Sequence, residues 1–326
     1  MLSRQHLKLF LRDTVSKMLG TIPLPYLEPL RRNYVTAPKD SYAYRISSAL
    51  LKLVRYRRLD RGIDSFSILD QPDILIQNTN CVLVRSLYWF GLSGYEDREY
   101  DIWQSFCSQA KQGILEIGAN IGFYTIMGSK AAPKIPYTAV EPHPITFSIL
   151  QRNLALNRVE NVTLLDVAVV GHKTAETMSL MVPISDKDEA PTGSFLQYGG
   201  ERRNAAFETY KVPLIEAETL FTGIDLIKMD VEGYEFEILA AVRPYLEKHH
   251  PVLFVEVLRK SEKLRGFIAD LCREQQYSIY VFKNRSLLQI PLEDLIRNTF
   301  REKFKTRDLI LVPPGYPLPQ ASQSGE

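Results

Sequence analysis

One stretch, residues 114–125, combines an apolar run, a single acid and two spaced glycines, and it reads I-L-E-I-G-A-N-I-G-F-Y-T. This order is typical of a strand, a tight turn and a helix in an open α/β sheet. Gly118 and Gly122 permit the positive φ angles or the close ligand approach that such a turn needs. Asn120 can lie in the turn or cap the helix that follows. Because a helix N-terminus favours anionic groups, the stretch predicts a ligand-binding turn.

The spacing of the glycines and the position of Glu116 bear on which ligand the turn binds. Dinucleotide-binding turns use G-x-G-x-x-G, whereas this turn is G-x-x-x-G with Glu116 two residues before the first glycine. A carboxylate there would repel a pyrophosphate and attract a cationic amine. S-adenosylmethionine carries such an amine, with a sulfonium, a carboxylate and a ribose. We therefore expect S-adenosylmethionine as the cofactor; a strand-to-helix turn without a ligand is the alternative.

Acids also follow other predicted strands. Glu141 ends an apolar run, where an acid binds ribose hydroxyls in either cofactor class. Asp230 and Glu232 follow the strand expected beside the first one, and Glu256 would face the same crevice. Acids at this edge of a sheet are costly unless they bind something, so Asp230 and Glu232 are candidate catalytic residues. Their alternative role is to cap the next helix.

Group transfer from such a sulfonium would be an in-line displacement, which needs positioning and, for an acceptor that carries a proton, a proton acceptor. The candidate acceptors are Asp230, Glu232 and His143, and His143 can equally be a bystander between two prolines. A metal held by Asp230, Glu232 and Glu256 is possible in principle because hard cations take oxygen ligands. The sequence does not require one, so no metal is predicted.

Strands and helices alternate after residue 110, which predicts an α/β fold with a doubly wound, seven-stranded, mostly parallel sheet of Rossmann-like type. A small β lead-in is expected over residues 68–84. The predicted strands of the sheet are 113–117, 137–141, 162–169, 226–229, 251–257, 277–282 and 308–312, with a further strand possible at 176–182. The predicted helices are 2–18, 47–56, 95–110, 145–156, 236–246 and 264–275.

The chain divides into a basic helical extension (1–63), a lead-in segment (64–110), an α/β domain that contains the expected cofactor turn (111–313) and a mobile tail (314–326). Up to Arg61, thirteen Lys and Arg residues stand against four acids, a net of about +9. This extension is either a basic amphipathic arm that contacts an anionic membrane or a pair of solvated helices. The polar loop 185–205, with aromatic and basic residues, either contributes to an acceptor pocket or is a disordered surface loop.

Bulk properties narrow the class of protein. The net charge of the 326-residue chain is only +2, so nucleic-acid binding is not indicated. Three scattered cysteines argue for a reducing compartment and against a structural zinc site. Neither a secretory signal nor an apolar run long enough to cross a bilayer is evident, so a cytoplasmic location is expected.

Three motifs together, ILEIGANIGFYT, VEPHPITFSILQRNLALN and IDLIKMDVEGYEFEIL, resemble those of the FkbM family of class I S-adenosylmethionine-dependent methyltransferases. The resemblance covers about residues 88–313 and implies O-methylation of a hydroxyl on a sugar, a glycan or a secondary metabolite. It implies that Asp230 and Glu232 face the transferring methyl. It also implies a cofactor site in which Glu141 holds the ribose, Val167 and Ala168 border the adenine with Asp166 nearby, and the methionine end is lined by Glu116, Gly118, Ala119, Asn120 and Gly122.

Two features depart from the family pattern: the segment before the fourth strand reads EAETLFTG, and the basic extension lies outside the shared core. Two other functions stay open. One is an NAD-dependent oxidoreductase on a similar sheet, which the glycine spacing and Glu116 disfavour. The other is a non-catalytic module that docks on a membrane through the basic extension.

Overall fold

The computed structural model describes residues 18, 21–55, 57–60, 62–94, 99–183, 207–283 and 286–319, and the backbone of 195–196. The chain forms two compact units, residues 1–96 with 186–190 and residues 97–185 with 191–326. The predicted boundaries near residues 63 and 110 remain predictions. Most of the predicted helix 2–18 and of the polar loop 185–205 lies outside the described residues.

The described part of the first unit forms helices and a hairpin. The elements are α1 (Leu24–Thr36), α2 (Tyr42–Val54), β1 (Ser65–Ile68), β2 (Gln71–Gln77), α3 (Val82–Phe90) and a 3₁₀ turn (Gly91–Gly94). The hairpin pairs β1 and β2 antiparallel, and Ser41 caps α2 by accepting a hydrogen bond from the Tyr44 N–H at 3.2 Å.

Two predictions for the first unit are corrected. The helix expected over residues 47–56 begins earlier, at Tyr42, because its cap is Ser41. The run Val82–Val84 was expected in the β lead-in but is the first turn of α3. Most of α3 is apolar and buried, and a short apolar run of this kind does not distinguish a buried helix from a strand.

The second unit is built on an eight-stranded sheet. Its strands are β3 (Ile114–Ile117), β4 (Tyr137–Val140), β5 (Val162–Leu165), β10 (Leu226–Met229), β11 (Val252–Glu256), β12 (Ser278–Lys283), β13 (Ser286–Gln289) and β14 (Asp308–Val312). The order across the sheet is β13-β12-β14-β11-β10-β3-β4-β5. The five strands from β11 to β5 are parallel, and each pairing among β11, β14, β12 and β13 is antiparallel. The predicted fold class is confirmed, with β13 as a strand that was not predicted.

A second, four-stranded sheet has the order β6-β9-β7-β8 and its own small apolar core. The predicted strand 162–169 breaks into β5 and β6, because the chain leaves the main sheet after Leu165 and pairs with β9. The strand expected at 176–182 is present as β7 but belongs to this second sheet. Its strands are β6 (Ala168–Val170), β7 (Thr177–Pro183), β8 (Phe195–Leu196) and β9 (Phe207–Glu216).

Helices cover both faces of the main sheet. The helix expected over 236–246 is two short helices, and Pro244 lies in the first turn of the second, where a proline is tolerated. Beyond the last strand, Tyr316 stacks on Phe106 with ring centroids 5.7 Å apart, so packing continues into the segment predicted as a tail. The helices are α4 (Glu99–Cys107), α5 (Phe123–Ala131), α6 (Pro144–Leu156), α7 (Glu235–Ala241), α8 (Arg243–His249), α9 (Glu262–Gln275), α10 (Leu292–Ile296) and α11 (Phe300–Phe304).

In the part of the chain that the structure describes, none of the helices combines the length and the apolar character needed to traverse a bilayer.

Candidate cofactor and acid site

The turn between β3 and α5 has the backbone that its glycines predicted. Gly118 and Gly122 have φ angles of +88° and +83°, and Asn120 also has a positive φ of +50°. A Cβ on Gly118 would overlap the backbone carbonyl oxygen of Asp230. The turn therefore lies directly against the end of β10, and the first turn of α5 has no side-chain cap.

Backbone hydrogen bonds fix this turn to the neighbouring strand. The N–H groups of Gly118 and Ala119 both donate to the Val140 carbonyl, at 2.9 and 3.0 Å. The Asn153 amide donates to the Ile121 carbonyl at 2.8 Å and so ties the turn to α6. Gly118, Ala119, Asn120 and Gly122 thus form one preorganised unit at the carboxyl end of β3.

Glu141, just past β4, completes this unit. Its Oε2 accepts the Asn120 N–H at 2.9 Å, and its Oε1 accepts the His143 N–H at 2.9 Å. Burial raises the pKa of the Glu141 carboxyl to about 7, although the two backbone hydrogen bonds oppose the shift. Each carboxylate oxygen has a further lone pair, so the geometry leaves acceptor capacity for ribose hydroxyls.

Glu116 is buried in the sheet, 1% exposed, beneath α5. Its Oε2 accepts hydrogen bonds from the Thr125 hydroxyl at 2.7 Å and from the Tyr137 hydroxyl at 2.6 Å. Burial raises the pKa of this carboxyl, and the Lys228 charge and the two hydrogen bonds oppose that shift. Both hydrogen bonds come from protein groups, and the predicted role of Glu116 toward a ligand amine remains a prediction.

The three residues expected near an adenine lie in the break between the two sheets. Asp166 is exposed, Val167 packs in part on the main core, and Ala168 is buried at the start of β6. They follow β5, at the same carboxyl edge of the sheet as Glu141. Their contacts to a cofactor remain a prediction.

Three acids come together at the carboxyl ends of β10 and β11, namely Asp230, Glu232 and Glu256. Each offers one carboxylate oxygen, and these oxygens lie within 4.8 Å of one another. The Asp230 N–H also donates to the Ile117 carbonyl at 3.0 Å. This hydrogen bond joins the three acids, called the acid cluster below, to the turn of residues 118–122, called the cofactor turn after its predicted role. The prediction that Glu256 faces the same crevice as Asp230 and Glu232 is confirmed.

Glu256 is the buried member of the acid cluster, 1% exposed, and neither of its oxygens accepts a hydrogen bond from the described residues. Arg307 Nη1 lies 2.7 Å from Oε1 as an ion pair outside hydrogen-bond geometry. Burial, followed by the charges of Asp230 and Glu232, raises the pKa of Glu256 to about 9. Glu256 is therefore a much weaker acid than an ordinary glutamate.

Lys228 links the acid cluster to β3. It is in register with Glu116 on the adjacent strand, and its Nζ lies 3.8 Å from Asp230 Oδ2 as an ion pair. The Nζ also lies 4.5 Å from the centroid of the Tyr124 ring. This arrangement holds one positive charge beside the crevice.

His143 directly precedes α6, and the residue is buried, with 1% of its surface exposed. Its Nδ1 lies 2.7 Å from the Thr146 hydroxyl, and its Nε2 has no hydrogen-bond partner among the described residues. Burial lowers the pKa of His143, so the ring is neutral near pH 7. The ring packs edge-on against Tyr210 of the second sheet, with centroids 4.7 Å apart. Packing of this kind agrees with a bystander, and a catalytic role remains a prediction.

Sequence analysis missed Glu235, which shapes the loop after β10. Its Oε1 accepts the N–H groups of Val231 and Gly233, both at 3.1 Å, and Glu232 in this loop has a positive φ of +53°. Burial raises the pKa of Glu235 to about 7. An acid in the first turn of a helix, directly after a Gly-Tyr pair, was the available signal. Arg307 was also missed, because only the antiparallel return of β14 brings it to Glu256.

The chain is similar in sequence to known methyltransferases. The sequence profile of the methyltransferase FkbM domain matches residues 116–279, half of the chain. Two fungal proteins are similar over part of their length: methyltransferase sdnD of Sordaria araneosa is 27% identical, and methyltransferase 1 of Beauveria bassiana is 28% identical. The matches cover 40% and 39% of this chain, and this chain spans 60% and 56% of those relatives.

Solved methyltransferase structures are also similar, at low identity and with low global overlap. The methyltransferase FkbM of Methylobacillus flagellatus KT is 14% identical, with a TM-score of 0.38 over 82% of this chain and 60% of that one. The O-methyltransferase TomG of Streptomyces achromogenes is 12% identical, with a TM-score of 0.37 over 67% of this chain and 81% of that one. On the match to the family profile, which begins at Glu116 and includes the turn and the acid pair, the chain belongs to the FkbM family of S-adenosylmethionine-dependent methyltransferases.

Proposed function

We propose that this protein transfers the methyl group of S-adenosylmethionine to a hydroxyl oxygen of a small acceptor, a sugar, a glycan or a secondary metabolite. The observation that carries the proposal is the contact between the Gly118 turn and the end of β10. This contact sets the cofactor turn beside Asp230 and the other carboxylates. A methyl donor in the turn would therefore lie next to groups that accept a proton.

The turn suits the methionine end of the cofactor. Gly118, Ala119, Asn120 and Gly122 let the ligand approach the backbone, and the uncapped first turn of α5 favours its carboxylate. Glu141 would accept ribose hydroxyls with the lone pairs that Asn120 and His143 leave free. Val167 and Ala168 would border the adenine, with Asp166 at its exposed edge.

The reaction balances without an oxidant or reductant. The carbon–sulfur bond breaks with its electron pair staying on sulfur, so the sulfonium becomes the neutral thioether of S-adenosylhomocysteine. A carbon–oxygen bond forms on the acceptor, and its hydroxyl proton passes to Asp230 or Glu232. Well-oriented reactants can lower the barrier by about 7–11 kcal/mol, and a base contributes about 10²–10⁴-fold.

A labelled-methyl assay tests the proposed function. The full-length protein would be incubated with S-adenosylmethionine carrying a labelled methyl group and with panels of glycans and hydroxylated metabolites. We expect label on an acceptor oxygen, identified by mass spectrometry of the product and by the carbon-13 chemical shift of the labelled methyl group. Label on nitrogen or carbon would contradict O-methylation, and a nicotinamide-dependent change of an acceptor would support the oxidoreductase instead.

The first unit supports a second proposal, peripheral contact with an anionic membrane. On α2, Tyr42 is 83% exposed and Ile46 is 56% exposed. Arg45 and Lys52 are exposed and share this helical face by their spacing. On this exposed face, Tyr42 and Ile46 would enter the membrane interface while Arg45 and Lys52 contact anionic headgroups.

Vesicle co-sedimentation tests this contact. We expect binding to vesicles with anionic lipid, weaker binding to zwitterionic vesicles, and loss of binding in the double variant Tyr42→Ser/Ile46→Ser. Ile296→Ser, which removes a 48% exposed apolar side chain from α10, is the matched control. Equal sedimentation of the double variant and the control would contradict the proposal.

A further inference from the structure

We propose that the acid cluster of Asp230, Glu232 and Glu256 is a binding site for one divalent hard cation, such as Mg²⁺, Mn²⁺ or Ca²⁺. The ion-binding part of this inference stands alone, and its catalytic consequence rests on the proposed function.

The distances fit one ion. Oxygens bound to a single Ca²⁺ at about 2.3–2.6 Å lie at most about 5 Å from one another. The three carboxylate oxygens of the acid cluster all lie within 4.8 Å of one another. Among the described residues, this is the one group of His, Cys, Asp and Glu side chains that meets such a criterion.

Glu256 points to a ligand independently of the acid cluster. A carboxylate that is 99% buried without a hydrogen bond is rare in native proteins and costly to maintain. The other buried glutamates at this edge of the sheet, Glu141 and Glu235, each accept two backbone hydrogen bonds. Glu256 differs because its Oε1 has only the ion pair with Arg307, and its Oε2 has no hydrogen-bond partner among the described residues.

The charges around the site leave room for a cation. Lys228 faces Asp230 from β10, and Arg307, directly before β14, faces Glu256, while Asp308 adds a fourth acid beside Glu256. Arg307 is about half exposed, so its guanidinium can move into solvent when an ion binds. Arg307 thus acts as the counter-ion of the site in the absence of metal.

A metal at this position would explain how weak bases can serve the reaction. A carboxylate with an ordinary pKa near 4 is a poor acceptor for the proton of an alcohol, whose pKa lies far higher. A divalent ion that binds the acceptor oxygen lowers the pKa of that hydroxyl. The acceptor class that follows is a hydroxyl with a second oxygen beside it, such as a vicinal diol, which can chelate the ion.

A titration of Mn²⁺ into the protein tests the site. Binding is measured as the loss of the electron paramagnetic resonance signal of the free ion. The titration is run with and without S-adenosylhomocysteine. We expect one saturable ion per chain, and Glu256→Gln should weaken binding by about tenfold or more. Arg307→Gln should tighten binding because it removes the competing charge. Glu262→Gln, an exposed glutamate of α9 outside the acid cluster, should leave it unchanged.

Absence of one saturable Mn²⁺ per chain, or equal affinity in wild type and Glu256→Gln, would overturn the proposal. Circular dichroism checks the fold of each variant, and Asp230→Asn decides the question if Glu256→Gln does not fold. Calorimetric binding of S-adenosylhomocysteine is measured on the same samples. Binding of S-adenosylhomocysteine without binding of Mn²⁺ would contradict only the metal site. Binding of Mn²⁺ without binding of S-adenosylhomocysteine would contradict only the proposed function.

Discussion

The cofactor turn and the acid cluster lie side by side at one edge of the sheet, but the protein donates hydrogen bonds to the buried carboxylate of the first and not to that of the second. In the turn, Glu141 uses both oxygens to accept backbone N–H groups, so the protein satisfies this acid by itself. In the acid cluster, Glu256 accepts no hydrogen bond from the described residues and lies among other acids. The carboxylate of the first region is hydrogen-bonded before a ligand binds, whereas Glu256 in the second region has only the ion pair with Arg307.

The largest expected effect comes from the acid cluster and concerns rate. Asp230→Asn should lower the rate of methyl transfer by about 10²–10⁴-fold, because it removes a proton acceptor or an oxygen ligand beside the reacting oxygen. Binding of S-adenosylhomocysteine should change little. Single-turnover kinetics with saturating cofactor measure the effect, and Asp270→Asn on α9 is the control. A wild-type rate in Asp230→Asn would remove this residue from the mechanism.

The next effect comes from the turn and concerns stability. Gly118→Ala should destabilise the fold by about 2–5 kcal/mol, because the new Cβ meets the Asp230 carbonyl and the φ of +88° strains an L-residue. Urea denaturation gives the free energy of unfolding. Gly266→Ala is the matched control, since Gly266 lies in α9 with open space around it.

That control should stabilise the protein by about 0.5–1 kcal/mol, as expected for alanine in a helix interior. Comparable unfolding free energies for Gly118→Ala and wild type would mean that the turn does not press against β10.

The pH dependence of stability separates the two regions further. Because the folded pKa of Glu141 is about 7, above an unfolded value near 4.3, the folded state binds the proton more tightly. Its contribution is present in full below about pH 4.3 and is lost as the pH rises through about 7. Glu141→Gln should therefore show a shallower fall in unfolding free energy across this window.

Glu235, with a pKa of about 7, and Glu256, with a pKa of about 9, add slope in both proteins, so the difference between the curves isolates Glu141. Urea denaturation at half-unit intervals of pH measures it. Parallel curves for wild type and Glu141→Gln would contradict the raised pKa.

The smallest effect concerns Glu116. Tyr137→Phe removes one of its two hydrogen bonds and should cost about 0.5–1.5 kcal/mol of stability, since Thr125 still donates to the same oxygen. Tyr42→Phe, at an exposed site, should be neutral. Thermal denaturation of the two variants gives the comparison. An unchanged melting temperature in Tyr137→Phe would show that the hydrogen bond between Tyr137 and Glu116 contributes nothing to stability.

Local sequence signals were sufficient for the cofactor turn. Gly118 and Gly122 carry the positive φ angles, and Glu141 and Asp230 follow short apolar strands that run parallel. These features depend on a few consecutive residues, so composition and spacing predict them. Their placement side by side follows from the α/β architecture itself.

Features that depend on distant packing were not predictable from the sequence. Val82–Val84 is apolar in either a helix or a strand, and burial decides between them. Residues 162–169 carry no glycine or proline to mark the break after Leu165. Arg307 reaches Glu256 only because β14 pairs antiparallel with β11, where Glu256 is in register with Asp308. Such pairings across the chain leave no local pattern.

The most direct measurement is calorimetric titration of the wild-type protein with S-adenosylhomocysteine and, separately, with NAD⁺. We expect S-adenosylhomocysteine to bind with one site per chain and NAD⁺ to produce no heat of binding. Saturable binding of NAD⁺, with none of the thioether, would contradict the assignment of the Gly118 turn to a sulfonium cofactor.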